Sequence, residues 1–554
     1  MADVVVIGAG ANGLVAANLL ADRGLEVVVC EEQPVPGGAV KSAELTRPGF
    51  THDQFSAFYP FAAASPVISS LGLEEHGLRW RRAPLVVAHP TAEGPTAVLS
   101  TDPEETAASL DAFAPGDGDG WRRLSAFWER ISGPFLEAFF APFPPVRGTA
   151  KLAAELRLEG LLELARMGPL PVRRLADEHF SGAGGGLLLA GNALHADLTP
   201  DSAGSAMFGW ILCGLGQQNG FPVPEGGAGR LTDALVARLA AAGGELRCGV
   251  PVERIVVDGG RAVAVESGGE RIEAREGIVA DVDAPSLYRR LVGPEHLPDR
   301  LLERLERFQF DNSTVKVDWA LNAPIPWESE QARRAGTVHV AESMDLLTRA
   351  TTDLQMRMIP ERPFLVMGQY AATDPTRAPR GAETAWAYTH VPQHARGDTA
   401  GEIVGRWDEA EKEIYADRIE GEVERFAPGF RDTIIERSIM GPRDLERLNS
   451  NLVGGAINAG TAQLYQQAIF RPVPGNGRAE TPIGGLFLGS ASAHPGGGVH
   501  GAPGSNAARA LLAARRRRRW SPLTSGRWRS RRAVERAGDP ASRGSPSGTN
   551  GGSP

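Results

Sequence analysis

Gly8, Gly10 and Gly13 follow a run of four aliphatic residues, Val4 to Ile7, and open a stretch with helical periodicity. That spacing suits a phosphate. The first glycine permits a tight turn, the second lets the backbone approach a pyrophosphate, and the third lets the helix pack close to the strand. Backbone N–H groups at the start of the helix, around Ala9, Ala11 and Asn12, supply donors and the positive end of the helix dipole. Val27 to Cys30 reads as a second strand, and Glu31 lies 18 residues beyond Gly13, beside Glu32. An acid at that distance is placed to hydrogen-bond an adenosine ribose. Strand, turn, helix, strand and acid arrive in order, which predicts a dinucleotide site.

The motif alone does not separate FAD from NAD. Two further glycine groups bear on the choice. Gly37 and Gly38 follow after a short loop and allow a second close backbone approach. Almost five hundred residues later an apolar strand at Leu486–Leu488 runs into Gly489 and Ser490, then His494, Gly497, Gly498, Val499 and His500. A motif that returns after so long an excursion predicts a cofactor clasped from both ends of the chain. His494 and His500 flank this loop and are the candidate catalytic residues, able to polarise a cofactor ring or a substrate. Loop-stabilising contacts are the other reading of both.

The elements around these motifs form a discontinuous pattern. Residues 1–100, 221–300 and 472–514 read as one α/β cofactor domain of Rossmann type. Insertions at 101–220 and 301–471 read as an α+β substrate domain. The first insertion is mostly helical by period, over 121–131, 151–167 and 203–215. Phe135, Phe139, Phe140 and Phe143 in it read either as core packing of a lid or as an apolar entrance with shallow membrane contact. The second insertion has strand-like runs. In Thr314 to Leu321 the residues Val315, Val317, Trp319 and Leu321 share one face. An antiparallel sheet flooring the cofactor pocket fits this pattern. His195 and Asp197 are a polar pair without a spacing signature and receive no role. No metal-ligand spacing is present.

Charge is unevenly spread. Net charge is −9, yet residues 515–554 hold eleven Arg against Glu535 and Asp539, which leaves the remainder at −18. An acidic body argues against nucleic acid as a partner. The Arg, Ser, Gly and Pro composition of 515–554 predicts a disordered basic tail. The three cysteines, Cys30, Cys213 and Cys248, form no Cys-x-x-Cys pair, so the sequence carries no redox-disulfide signature. No apolar run approaches the roughly 20 residues that span a bilayer. The expected location is cytoplasmic, with peripheral membrane contact as an option.

The stretches GAGANGLVAANLLADRGLEVVVCEE and PGGAVKSAELTRPGFTHDQFS, together with GGLFLGSASAHPGGGVHGAPGSNAARALL near the C-terminus, resemble the phytoene desaturase-like FAD-dependent oxidoreductases. The likeness is greatest to the branch named for pyridine nucleotide-disulfide oxidoreductase domain-containing protein 2. It implies FAD as cofactor, with Val252 at the adenine and the 489–499 loop at the flavin. It also implies oxidation of a small apolar or amphipathic substrate by hydride transfer to flavin N5, with oxygen, a quinone or a nicotinamide as electron acceptor. An amine oxidase, a flavin-dependent isomerase and a non-catalytic flavin-binding regulatory protein remain alternatives.

Overall fold

A computed structural model describes residues 2–520. The first strand, β1 (Ala2–Ile7), is almost wholly buried, as suits the centre of a parallel sheet. It is followed by helix α1 (Ala11–Ala21) and strand β2 (Val27–Glu31). β1 pairs in parallel with β2 on one side and with Gly277–Ala280 on the other. Glu245–Cys248 extends the sheet beyond β2, and Leu486–Leu488 closes its opposite edge against Ile278–Ala280. The antiparallel strands Arg254–Asp258 and Arg261–Ser267 lead into the long strand Glu270–Ala280. This is the expected discontinuous Rossmann-type fold: segments from three distant parts of the chain make one sheet.

The second sheet has seven strands and is antiparallel except at one junction. Its order runs Ile434–Met440, Ser313–Leu321, Glu383–Val391, Leu365–Gln369, Ala335–Val340, Leu85–His89, Ala97–Leu99. The single parallel pair joins Leu85–His89 to Ala335–Val340. The strands at 85–89 and 97–99 therefore belong to this second sheet and not to the cofactor part, where the reading of 1–100 put them. Val315, Val317, Trp319 and Leu321 pack as one face into a core closed by Tyr415, Ile419 and Val423 of helix Glu409–Glu424. The opposite face looks toward the helical insertion, whose helices Asp117–Phe140, Val146–Met167 and Ser205–Asn219 run longer than their periodicity suggested.

The last helix, Ala502–Trp520, starts with Pro503 in its first turn, where a missing N–H costs nothing. It packs so tightly on α1 that a Cβ at Gly504 would lie 1.9 Å from the Asn12 carbonyl oxygen. The helix runs through the arginine run, which corrects the expectation of disorder from 515. Arg515 and Arg518 pair with Glu276 at 2.9 and 2.6 Å, and those pairs hold the helix end against the sheet. The rest of the expected tail, 521–554, lies outside the described residues. Among the described residues no helix is long and apolar enough to cross a membrane.

Candidate functional site

A single cavity of about 310 Å³ begins at the glycine turn and ends on the second sheet. Gly10, Ala11 and Asn12 line one end, with Gly38 beside them. Gly8 adopts φ +91° and Gly13 sits where a Cβ would meet the Gly8 carbonyl oxygen at 2.1 Å. The turn therefore excludes any larger residue at these two positions. Gly37 donates its N–H to the Ala9 carbonyl at 2.9 Å, which docks the glycine pair onto the first motif. The N–H groups of Ala11 and Asn12 open α1 toward the cavity. No protein acceptor for either is found among the described residues, and Asn12 Oδ1 is buried without a partner. A free helix N-terminus walled by glycine fits a pyrophosphate.

Glu31 ends β2 as expected. It is buried, and its two oxygens accept the Ala9 N–H at 2.7 Å and the Gln33 N–H at 3.0 Å. Glu32 is exposed and accepts the Ser450 hydroxyl at 2.7 Å. Val252 is buried in the core that lies against the far side of β2. These three lie outside the cavity lining, at the end of the parallel sheet where an adenosine half would rest. Gly489 anchors the returning strand through its N–H to the Ala280 carbonyl at 2.8 Å, while Ser490, Gly497, Gly498 and Val499 reach the cavity. The motifs from the two chain ends thus share one lining.

Two buried groups brace the loops around this end. Asp311 accepts the N–H groups of Ile457 and Asn458 at 2.9 and 3.0 Å. Burial and the Asp197 charge nevertheless raise its carboxyl to about 7. Arg471, also buried, donates to the carbonyls of Asn458 and Ala491 at 2.9 and 2.8 Å and ties two lining loops together. Burial lowers its guanidinium to about 10.

The two histidine candidates are corrected. Neither His494 nor His500 lines the cavity. His494 packs edge-on against Phe143, at 5.9 Å between ring centroids. His500 is wholly buried against Phe61, Phe139 and Phe140, and its Nδ1 accepts the Ala502 N–H at 3.1 Å. Burial lowers both rings to about 4, so they are neutral supports of the turn into the last helix. The Phe139 and Phe140 rings take the packing reading, because both are spent on this contact.

At the cavity's other end an antiparallel sheet floors the pocket, as the strand pattern suggested, but the side chains that line it were not foreseen. The second sheet presents Thr314, Lys316, Thr337, Val366, Trp386 and Tyr388 as its floor. Lys316 pairs across the sheet with Tyr388, and Asp318 with Trp386. Lys316 donates Nζ to Asp318, both side chains being nearly inaccessible, and His52 stands 3.5 Å from the same carboxylate. Phe208, Leu212, Phe221 and His195 complete an apolar wall. His195, assigned no role from its spacing, is therefore a lining residue. Asp281 is the sole carboxylate among the lining residues. Its Oδ2 accepts the Gly13 N–H at 2.9 Å, and burial with the Glu31 charge raises it to about 7 against that hydrogen bond. The alternating polar positions 314, 316 and 318 were the available signal, but such a pattern reads equally as a solvated strand face.

The profile of the flavin containing amine oxidoreductase family matches residues 12–512. Pyridine nucleotide-disulfide oxidoreductase domain-containing protein 2 of Rattus norvegicus is 30% identical over 91% of this chain and 92% of its own length. The lycopene-forming phytoene desaturase of Pseudescherichia vulneris is 25% identical over 92% and 99%. Among solved structures, an oxidoreductase from Methanosarcina mazei matches with TM-score 0.58 at 16% identity, over 92% of this chain and 99% of that one. Putrescine oxidase bound to putrescine matches with TM-score 0.58 at 16% identity, over 92% and 98%. These two structures share the fold. Taken with the cavity at the glycine turn, the match over nearly the whole chain places this protein in the flavin-containing amine oxidoreductase family, as an FAD-dependent oxidoreductase.

Proposed function

We propose that this enzyme oxidises a neutral apolar or amphipathic molecule held on the second sheet. The observation that carries the reading is the continuity of one cavity from the glycine turn to an apolar wall facing the aromatic pair Trp386 and Tyr388 on the sheet floor. When bound, FAD would supply the two-electron oxidant, a hydride acceptor for a substrate C–H bond. Ala11 and Asn12 would hold the pyrophosphate through their N–H groups, Glu31 the ribose, and the 490–499 turn the flavin end. The residues of the floor do the rest. Phe208, Leu212, Phe221 and Val366 exclude water and press an apolar substrate against the cofactor. Trp386 and Tyr388, stacked at 6.0 Å and 15°, give it a flat rest.

A cationic amine suits this cavity less well. The floor already carries the Lys316 ammonium, neutralised by Asp318. The sole lining carboxylate, Asp281, is engaged at the glycine turn. A neutral substrate leaves no charge unpaired. The returning electron acceptor would be oxygen, a quinone or a nicotinamide.

The test is anaerobic. The FAD-loaded protein is mixed with panels of neutral terpenoid or alkyl substrates and of primary amines, and flavin absorbance near 450 nm is followed. Bleaching by members of the neutral panel is the expected outcome. Bleaching by the amines alone would replace this reading with amine oxidation.

A further inference from the structure

His195 and His339 face each other through their Nε2 atoms, 2.8 Å apart. His339 is fully buried in the strand Ala335–Val340, and His195 follows helix Gly184–Ala193 on the apolar wall of the cavity. Burial lowers His195 to about 3 and His339 well below the ordinary histidine range, so both rings are neutral. Two neutral imidazoles hold two N–H groups, and one of them lies between the rings.

The surroundings fix where the other one is. His89 and His390 donate from Nε2 to the carbonyls of Ala341 and Leu194, at 2.9 and 3.1 Å, because a carbonyl only accepts. Their Nδ1 atoms are sealed, unpartnered lone pairs. His339 Nδ1 is sealed in the same way, so close to Gly191 that a Cβ there would lie 2.1 Å from it. A sealed lone pair is tolerated better than a sealed N–H. On that preference the His339 proton is assigned to Nε2, donated to His195. His195 accepts at Nε2 and carries its own proton on Nδ1. Among the described residues that Nδ1 is given no hydrogen-bond partner, and it is not one of the sealed Nδ1 atoms of His89, His339 and His390; His195 borders the cavity. Thr314 and Thr337 also line the cavity with unpartnered hydroxyls, but a hydroxyl turns to suit a donor or an acceptor. The imidazole N–H asks for an acceptor alone.

We propose that His195 is the specificity-determining anchor of the cavity: its Nδ1–H receives a neutral oxygen, carbonyl or hydroxyl, borne by an otherwise apolar substrate. This rests on the neutral-substrate reading and narrows it. A plain hydrocarbon would leave the N–H buried and unpaired, which a site built around a donor discriminates against.

Two measurements on the FAD-loaded protein test it. The first is the ¹⁵N spectrum of histidine-labelled protein, with the His195 signals identified by their loss in His195→Asn. The expected state is Nδ1 protonated and Nε2 bare. The second compares acetophenone with ethylbenzene, a matched pair differing in the carbonyl, by their perturbation of the flavin spectrum. Wild type should bind the ketone roughly tenfold tighter. His195→Phe should bind the two alike, and His195→Asn, whose amide N–H takes the place of Nδ1–H, should keep the preference. A proton on Nε2 of His195, or equal affinity of wild type for the two probes, overturns the anchor and leaves the neutral-substrate reading standing. Failure of both probes to bind overturns that reading and the anchor with it.

Discussion

The Asp281 carboxylate accepts the Gly13 N–H at 2.9 Å, although 268 residues separate the two. A strand end thus caps the first turn of α1 from outside the helix, beside the two N–H groups left for a phosphate. Burial holds this carboxyl at about 7, and the charged group facing it from β2 is Glu31.

Cofactor binding should depend on pH for this reason. Well below pH 4 the Asp281 carboxyl is neutral in folded and unfolded chains alike. As pH rises toward 7 the unfolded chain gives up the proton first, so the native state is progressively disfavoured. The phosphates of FAD add negative charge alongside and strengthen the demand for the proton. FAD affinity is expected to fall about tenfold per pH unit above about 7. Asp281→Asn, which keeps an acceptor for Gly13, should flatten that profile. Equilibrium fluorescence titration with FAD from pH 6 to 9 checks both chains.

Gly13→Ala should abolish flavin retention. The added methyl would meet the Gly8 carbonyl oxygen at 2.1 Å and force the turn apart. Overpacking of this kind costs about 1–3 kcal/mol in stability. The absorbance ratio at 450 and 280 nm, with a melting curve, measures the two effects.

Removing one partner of the Lys316–Asp318 pair should destabilise far more than removing both. Asp318→Ala leaves a buried ammonium unpaired, at a cost of about 3–5 kcal/mol. Lys316→Met with Asp318→Leu should cost much less than the two single changes together. A double-mutant cycle by urea denaturation gives the coupling. Additive effects would show that the pair is not coupled.

Truncation at two points separates the helical arginines from residues 521–554. Ending the chain after Trp520 should leave the melting temperature unchanged. Ending it after Ala514 removes the Arg515 and Arg518 pairs with Glu276, each partly exposed and worth about 0–1 kcal/mol. A drop of no more than about 2 °C is expected for the shorter chain alone.

The parallel sheet was legible because its residues obey local rules. Val4 to Ile7, the spaced glycines and Glu31 each imply the next within a few turns of chain. The sheet flooring the pocket was legible too, but its lining side chains were not, for two reasons. Thr314, Lys316 and Asp318 alternate with an apolar face, as on any half-exposed strand, and only the helices packed above them make that face interior. His195 has no spacing to distinguish it; its role arises from meeting His339 across 144 residues. The histidines of the glycine-rich turn are conspicuous in sequence for the opposite reason, being near the motif yet turned into packing. Composition alone misreads the arginine run, since Glu276 supplies the countercharge from a distant strand.

The strand at 486–488 and the helix beyond it have a bearing on biosynthesis. The parallel sheet lacks its edge, and α1 its packing partner, in any chain stopped before that point. A polypeptide still emerging from the ribosome can form β1, α1 and β2 early, but it offers no enclosed bed for a flavin. Cofactor loading must then wait until the segment through the last helix has been made, and premature termination before it yields a colourless product rather than a weakened enzyme.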